Sequence, residues 1–121
     1  MFSVEGSRAP AGVPTGVNPG ELQVVVLGEK RSYEVHLHGE LDMSTATELR
    51  ERLLGLASEG PTQVTVDLSQ LSFVDSTGLS VLITGLKCLR QQGGDMALRS
   101  PTPATRRVLE ITGLTEVFAI S

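Results

Sequence analysis

The sequence holds a single cysteine, Cys88, and no tryptophan. One thiol cannot form an intrachain disulfide or supply a multi-cysteine zinc site. Aromatic residues make up only 3% of the chain, so its core must be built from leucine, valine and isoleucine. Basic residues are scarce too: Lys and Arg total 10 against 14 acidic residues, a net charge of −4, and they are scattered. A phosphate-backbone binder displays a basic face, so nucleic acid is not an expected partner. No apolar run approaches the ~18 residues that span a bilayer. Nor does the N-terminus carry a basic segment followed by an apolar one. The expectation is a cytoplasmic chain with no membrane partner.

What is present suits one globular domain: 121 residues, 40% hydrophobic and 20% charged. Residues 1–20 stand apart, with Pro10, Pro14 and Pro19 interleaved with Gly6, Gly12, Gly16 and Gly20. Such a stretch neither nucleates a helix nor holds a sheet ladder, and is read as a flexible tail before a folded domain over 21–121.

Leu22 to Leu27 is a β-branched run, and Tyr33 to His38 alternates with period two; a polar turn at 28–31 joins them as a hairpin. Tyr33, Val35 and Leu37 take one face, Glu34, His36 and His38 the other. Same-face residues on a strand sit ~7 Å apart, too far for simple shared metal coordination, so the second face is read as solvated. Ala46, Leu49, Leu53 and Leu56 then step 3, 4, 3, a helical stripe with Asp42 or Ser44 as its cap. Gln63 to Leu68 predicts a strand, continued by Phe73-Val74 after a bend at 69–72. Leu79, Leu82, Leu86 and Leu89 repeat the helical stripe up to Gly93-Gly94. A strand at 96–99, a helix at 103–112 and a strand at 117–120 complete an α/β pattern: a mixed β-sheet with helices packed on it.

Most chemistry gathers at Phe73-Val74-Asp75-Ser76-Thr77-Gly78-Leu79, where a buried strand gives way to a helix within two residues. Asp, Ser and Thr there can satisfy orphan helix N–H groups, and a cap at a strand end is also a rigidly presented hydroxyl. Thr77, Val81, Thr84 and Cys88 form an uncharged helix flank that either docks a partner or tucks against a neighbouring helix. Gly85, where glycine costs ~1 kcal/mol relative to alanine, points to a close backbone approach. Cys88 lies on an uncharged helix flank with no basic partner on that face, and reads as a packing residue. No glycine-rich phosphate loop precedes a Lys-Ser/Thr pair, and neither histidine is aimed at Ser76. Catalysis is not expected, nor a cofactor or a resident metal.

Residues 66–79, together with Gly39-Glu40-Leu41-Asp42 and Gly93-Gly94 before a strand, resemble the signature of the STAS domain. Within that superfamily the chain is most similar to bacterial anti-sigma factor antagonists. The resemblance implies a protein that binds an anti-sigma factor, itself often a serine kinase, and so frees a sigma factor. It implies phosphorylation of the serine after the motif aspartate, Ser76 by position, and a protein phosphatase that reverses it. By similarity the turn Asp42-Met43-Ser44-Thr45 is a second contact near the switch serine; together with the helix flank, the expected partner surface comprises Asp42, Ser44, Thr45, Asp75, Ser76, Thr77, Gly78 and Val81. The expected state is a monomer, with a dimer as the alternative. Thr77 stands where many members have a second serine. Many also continue into a further helix beyond the last strand, where this sequence ends at Ser121. The resemblance also allows a STAS subunit of a stress-signalling scaffold or lipid-transport ATPase complex, and the residues themselves leave open a small nucleotide- or phosphate-binding protein using the helix terminus at Ser76-Thr77-Gly78.

Overall fold

The computed structural model describes residues 17–121. Positions 1–16 of the expected tail lie outside the described residues. The end of that stretch is fastened: Gly20 donates its N–H to the Glu40 carboxylate, and Glu21 to the Asn18 carbonyl.

Strands β1 (Leu22–Glu29) and β2 (Ser32–Leu41) form the expected hairpin, followed by α1 (Ala46–Ala57), β3 (Gln63–Val74), α2 (Ser76–Gln91), β4 (Asp95–Arg99), α3 (Pro103–Ile111), a 3-10 turn (Leu114–Glu116) and β5 (Ala119–Ile120). The sheet order is β1-β2-β3-β4-β5; β1 pairs antiparallel with β2 and every other pair is parallel. Lys30 and Arg31, the two loop residues of the hairpin, both have positive φ (56° and 66°), as a tight two-residue turn demands.

Register assigns the faces. Val24, Leu37, Val35, Val66 and Leu98 are buried and align across the sheet with Val64 and Met96 on the side that α1 and α2 cover. The stripes Leu49, Leu53, Leu56 and Leu79, Leu82, Leu86, Leu89 close this core. Backbone approach at Gly85 is close, as the sequence implied: a Cβ there would lie 2.6 Å from Leu53 Cδ1 and 3.0 Å from Met96 Cε. α3 packs against β3 through its buried Thr105 and Leu109, and its Thr102 cap accepts the Thr105 N–H.

Two expectations are corrected. The bend at 69–72 does not break the strand. β3 runs unbroken from Gln63 to Val74 and takes up the polar residues as two register shifts against β2, between His36 and His38 and between Gly39 and Glu40. The Glu34–His36 face is not simply solvated either, for His36 is only 7% exposed. Its Nε2–H donates to Glu34 Oε1 at 2.9 Å. Arg99, two strands away, donates to that same oxygen at 3.1 Å and through Nε to Asp67 Oδ2 at 3.0 Å. His36, Asp67 and Arg99 form one register row. Glu34 is held below the usual carboxylate range, first by Arg99 and then by His36. Burial pushes Asp67 up, but the Ser69 hydroxyl and N–H together with Arg99 outweigh it, and its carboxyl also sits low.

Candidate functional site

β2 and β3 are parallel neighbours, so their C-terminal residues Leu41 and Val74 lie side by side. The chain leaves both at the same end of the sheet, and the loop after β2 meets the start of α2. The carboxyl ends of parallel strands are where such folds form their binding crevices.

Asp75 organises the junction. Its N–H donates to the Leu41 carbonyl at 3.1 Å. Its Oδ1 accepts the Gly78 N–H at 2.9 Å and so caps α2. Its Oδ2 accepts the Met43 N–H at 3.1 Å. Gly78 is buried, and a Cβ on it would lie 2.6 Å from Leu41 Cγ and 3.0 Å from the Leu41 carbonyl oxygen. Only glycine lets the first turn of α2 rest on the end of β2 this closely.

The loop has its own framework. Asp42 Oδ1 accepts the Ser44 N–H at 2.9 Å and the Ser44 hydroxyl at 2.8 Å, and these bonds, the hydroxyl first, hold the Asp42 carboxyl below its ordinary range. Thr45 Oγ1 donates to the Glu40 carbonyl at 2.8 Å and accepts the Asp42 N–H at 2.9 Å. The expected capping of α1 by the side chain of Asp42 or Ser44 is therefore corrected. Those side chains bond each other, Thr45 occupies the cap position without a side-chain cap bond, and Asp42 offers its carbonyl to the Ala46 N–H.

Ser76 is the first residue of α2 and is exposed. Ser44, Ser58, Ser69 and Ser72 all engage their hydroxyls internally. The hydroxyl of Ser76 has no partner among the described residues. Thr77 beside it is half-buried.

The uncharged flank of α2 is largely committed to packing. Val81, expected at a partner surface, is only 7% exposed; it lies one turn from Gly85, against which Leu53 of α1 packs. Cys88 packs against the same core, as the alternative reading of that flank required. Surface at this end of the domain is supplied instead by Ser76, Ser44 and Met43, the last 77% exposed. Met43 lies within the turn 42–45 expected as a second contact, though not among the residues singled out there for the partner surface.

Residues 23–121 match the model of the STAS domain. The chain belongs to the STAS domain family. Among its curated relatives is the anti-sigma-B factor antagonist of Bacillus subtilis, 34% identical over 100 residues that cover 83% of this chain and 91% of that protein. The anti-sigma-B factor antagonist of Staphylococcus aureus is 32% identical, covering 83% and 93%. An anti-sigma factor antagonist from Mycobacterium paratuberculosis superimposes with a TM-score of 0.73 at 29% identity, covering 82% of this chain and 84% of that one. In this STAS domain the motif aspartate, Asp75, and the serine after it stand at the junction of the two loops. No helix among the described residues is long and apolar enough to cross a membrane.

Proposed function

We propose that this STAS domain is an anti-sigma factor antagonist that works by reversible protein–protein binding, not by catalysis. Unphosphorylated, it occupies an anti-sigma factor in the cytoplasm and releases the sigma factor held there. The anti-sigma factor, acting as a serine kinase, phosphorylates Ser76 and ends the association; a protein phosphatase restores it. The partner surface is Ser76 and Thr77 with the adjoining Asp42–Thr45 loop, while Asp75 and Gly78 hold the two segments together.

The observation that carries this reading is the setting of Ser76: exposed, with an unengaged hydroxyl, at the first position of a long helix whose cap is the preceding aspartate. The names of the curated relatives support it. The energetics fit a switch. A phosphoserine carries about −1.5 to −2 charges, and the helix terminus can stabilise it by at most about 1–2 kcal/mol, opposed by the neighbouring Asp75. The same group buried unpaired in an interface costs several kcal/mol. The interface effect is larger, so phosphorylation removes binding while the fold persists.

Recovery of partners from host lysate with wild-type, Ser76→Ala and Ser76→Glu baits tests the reading. Wild type and Ser76→Ala should retain an anti-sigma kinase that Ser76→Glu loses. Retention of one and the same assembly by all three baits would reduce Ser76 to a residue of the helix start.

A further inference from the structure

We infer that Met43 is the apolar anchor of the partner interface and Asp75 its positioning residue; the inference rests on the antagonist reading above and names a residue that decides its affinity. A lone exposed apolar side chain is ordinary on any protein surface, and Ile111, at the C-terminal end of α3, is almost as exposed at 72%. Met43 differs in how it is held. Its N–H is bonded to Asp75, the residue that caps the helix beginning with Ser76. The next two residues are fixed by the Asp42–Ser44 bonds and by the Thr45 bond to the Glu40 carbonyl. The backbone that carries the thioether is thus ordered before any partner arrives, and pre-ordering lowers the entropy lost on binding. The side chain is unbranched and polarizable, a kind that fills an irregular apolar pocket. It stands on the loop that Asp75 ties to the phosphoacceptor helix, so a partner engaging Ser76 meets Met43 in the same encounter. The matching feature on the anti-sigma factor is an apolar pocket beside the site that receives Ser76. Filling such a pocket with one methionine corresponds to roughly 10- to 100-fold in affinity.

The probe is the host's anti-sigma factor, purified, with affinities measured for Met43→Ala, Met43→Leu, Met43→Gln, Ile111→Ala and Ser76→Glu chains. Met43→Ala and Met43→Gln should each weaken binding at least tenfold, Met43→Leu should stay within about threefold of wild type, and Ile111→Ala should leave it unchanged. Asp75→Asn should also weaken binding, and in that background Met43→Ala should cost measurably less than in wild type, as expected when one residue acts through the other. Wild-type affinity in Met43→Ala, with Ser76→Glu still unable to bind, overturns the anchor and leaves the antagonist reading standing. Failure of the wild-type chain itself to bind the anti-sigma factor overturns both.

Discussion

The carboxylate of Asp75 accepts the backbone N–H of Met43 at 3.1 Å across 32 residues of sequence, while its other oxygen caps α2. One side chain therefore fixes the start of the helix that bears Ser76 and the loop leaving the neighbouring strand. Asp75→Ala should remove both bonds and cost about 1–3 kcal/mol, the sum of a lost cap and a lost charge-assisted bond near the surface. Asp75→Asn retains a cap acceptor and should fall between the two. Urea unfolding measures the difference; an Asp75→Ala chain as stable as wild type would show that these bonds contribute nothing.

Gly78 and Gly55 offer a matched pair of helix glycines. A methyl at Gly78 meets Leu41 Cγ at 2.6 Å and the Leu41 carbonyl oxygen at 3.0 Å, and the carbonyl belongs to sheet backbone that cannot easily move. Gly78→Ala should destabilise by about 1–3 kcal/mol. Nothing lies within 4 Å of a Cβ on Gly55, so Gly55→Ala should stabilise by about 0.5–1 kcal/mol through helix propensity. Thermal melts of the two variants should move in opposite directions.

Lys30 and Arg31 both occupy left-handed backbone without being glycine or asparagine. Installing Asn-Gly by Lys30→Asn and Arg31→Gly relieves this and should raise stability by about 1 kcal/mol. An unchanged or lowered denaturation midpoint would contradict the turn geometry.

Arg99 lies between Glu34 and Asp67, whose folded-state pKa values are both depressed. A depressed carboxylate stabilises the fold above its unfolded pKa, near 4, and that contribution is lost as pH falls through the lower folded value. Stability should therefore decline below about pH 4, and Arg99→Met should flatten that decline. At neutral pH the same variant leaves Asp67 buried without its guanidinium and should cost about 1–3 kcal/mol, less than a fully buried pair because Arg99 is partly exposed. Chemical unfolding of both chains across pH 2.5–7 (about one-unit steps) tests slope and offset together.

Much of the fold was legible because its signals are local. The 3, 4, 3 leucine steps of α1 and α2 mark helices that must bury one face, and the alternation in β2 marks a strand. The stretch Ser69–Ser72, polar but for the buried Leu71, misleads because bulges admit the same residues that turns favour. The bond from Arg99 to Glu34 spans 65 residues and depends on strand order, which no local period encodes. For the same reason Val81 could be placed on the α2 flank from spacing, but its burial depends on tertiary packing. The Asp75-Ser76 junction was legible as chemistry, whereas its tie to Met43 required knowing that β2 and β3 end side by side.

The most direct test of the switch is to incubate the purified chain with the host's purified anti-sigma factor and ATP, locate the phosphoryl group by mass spectrometry, and measure binding and melting temperature before and after. One phosphoryl group is expected, on Ser76, with binding lost and the melting temperature nearly unchanged. Phosphorylation at another residue, or a Ser76-phosphorylated chain that binds as tightly as before, would contradict it.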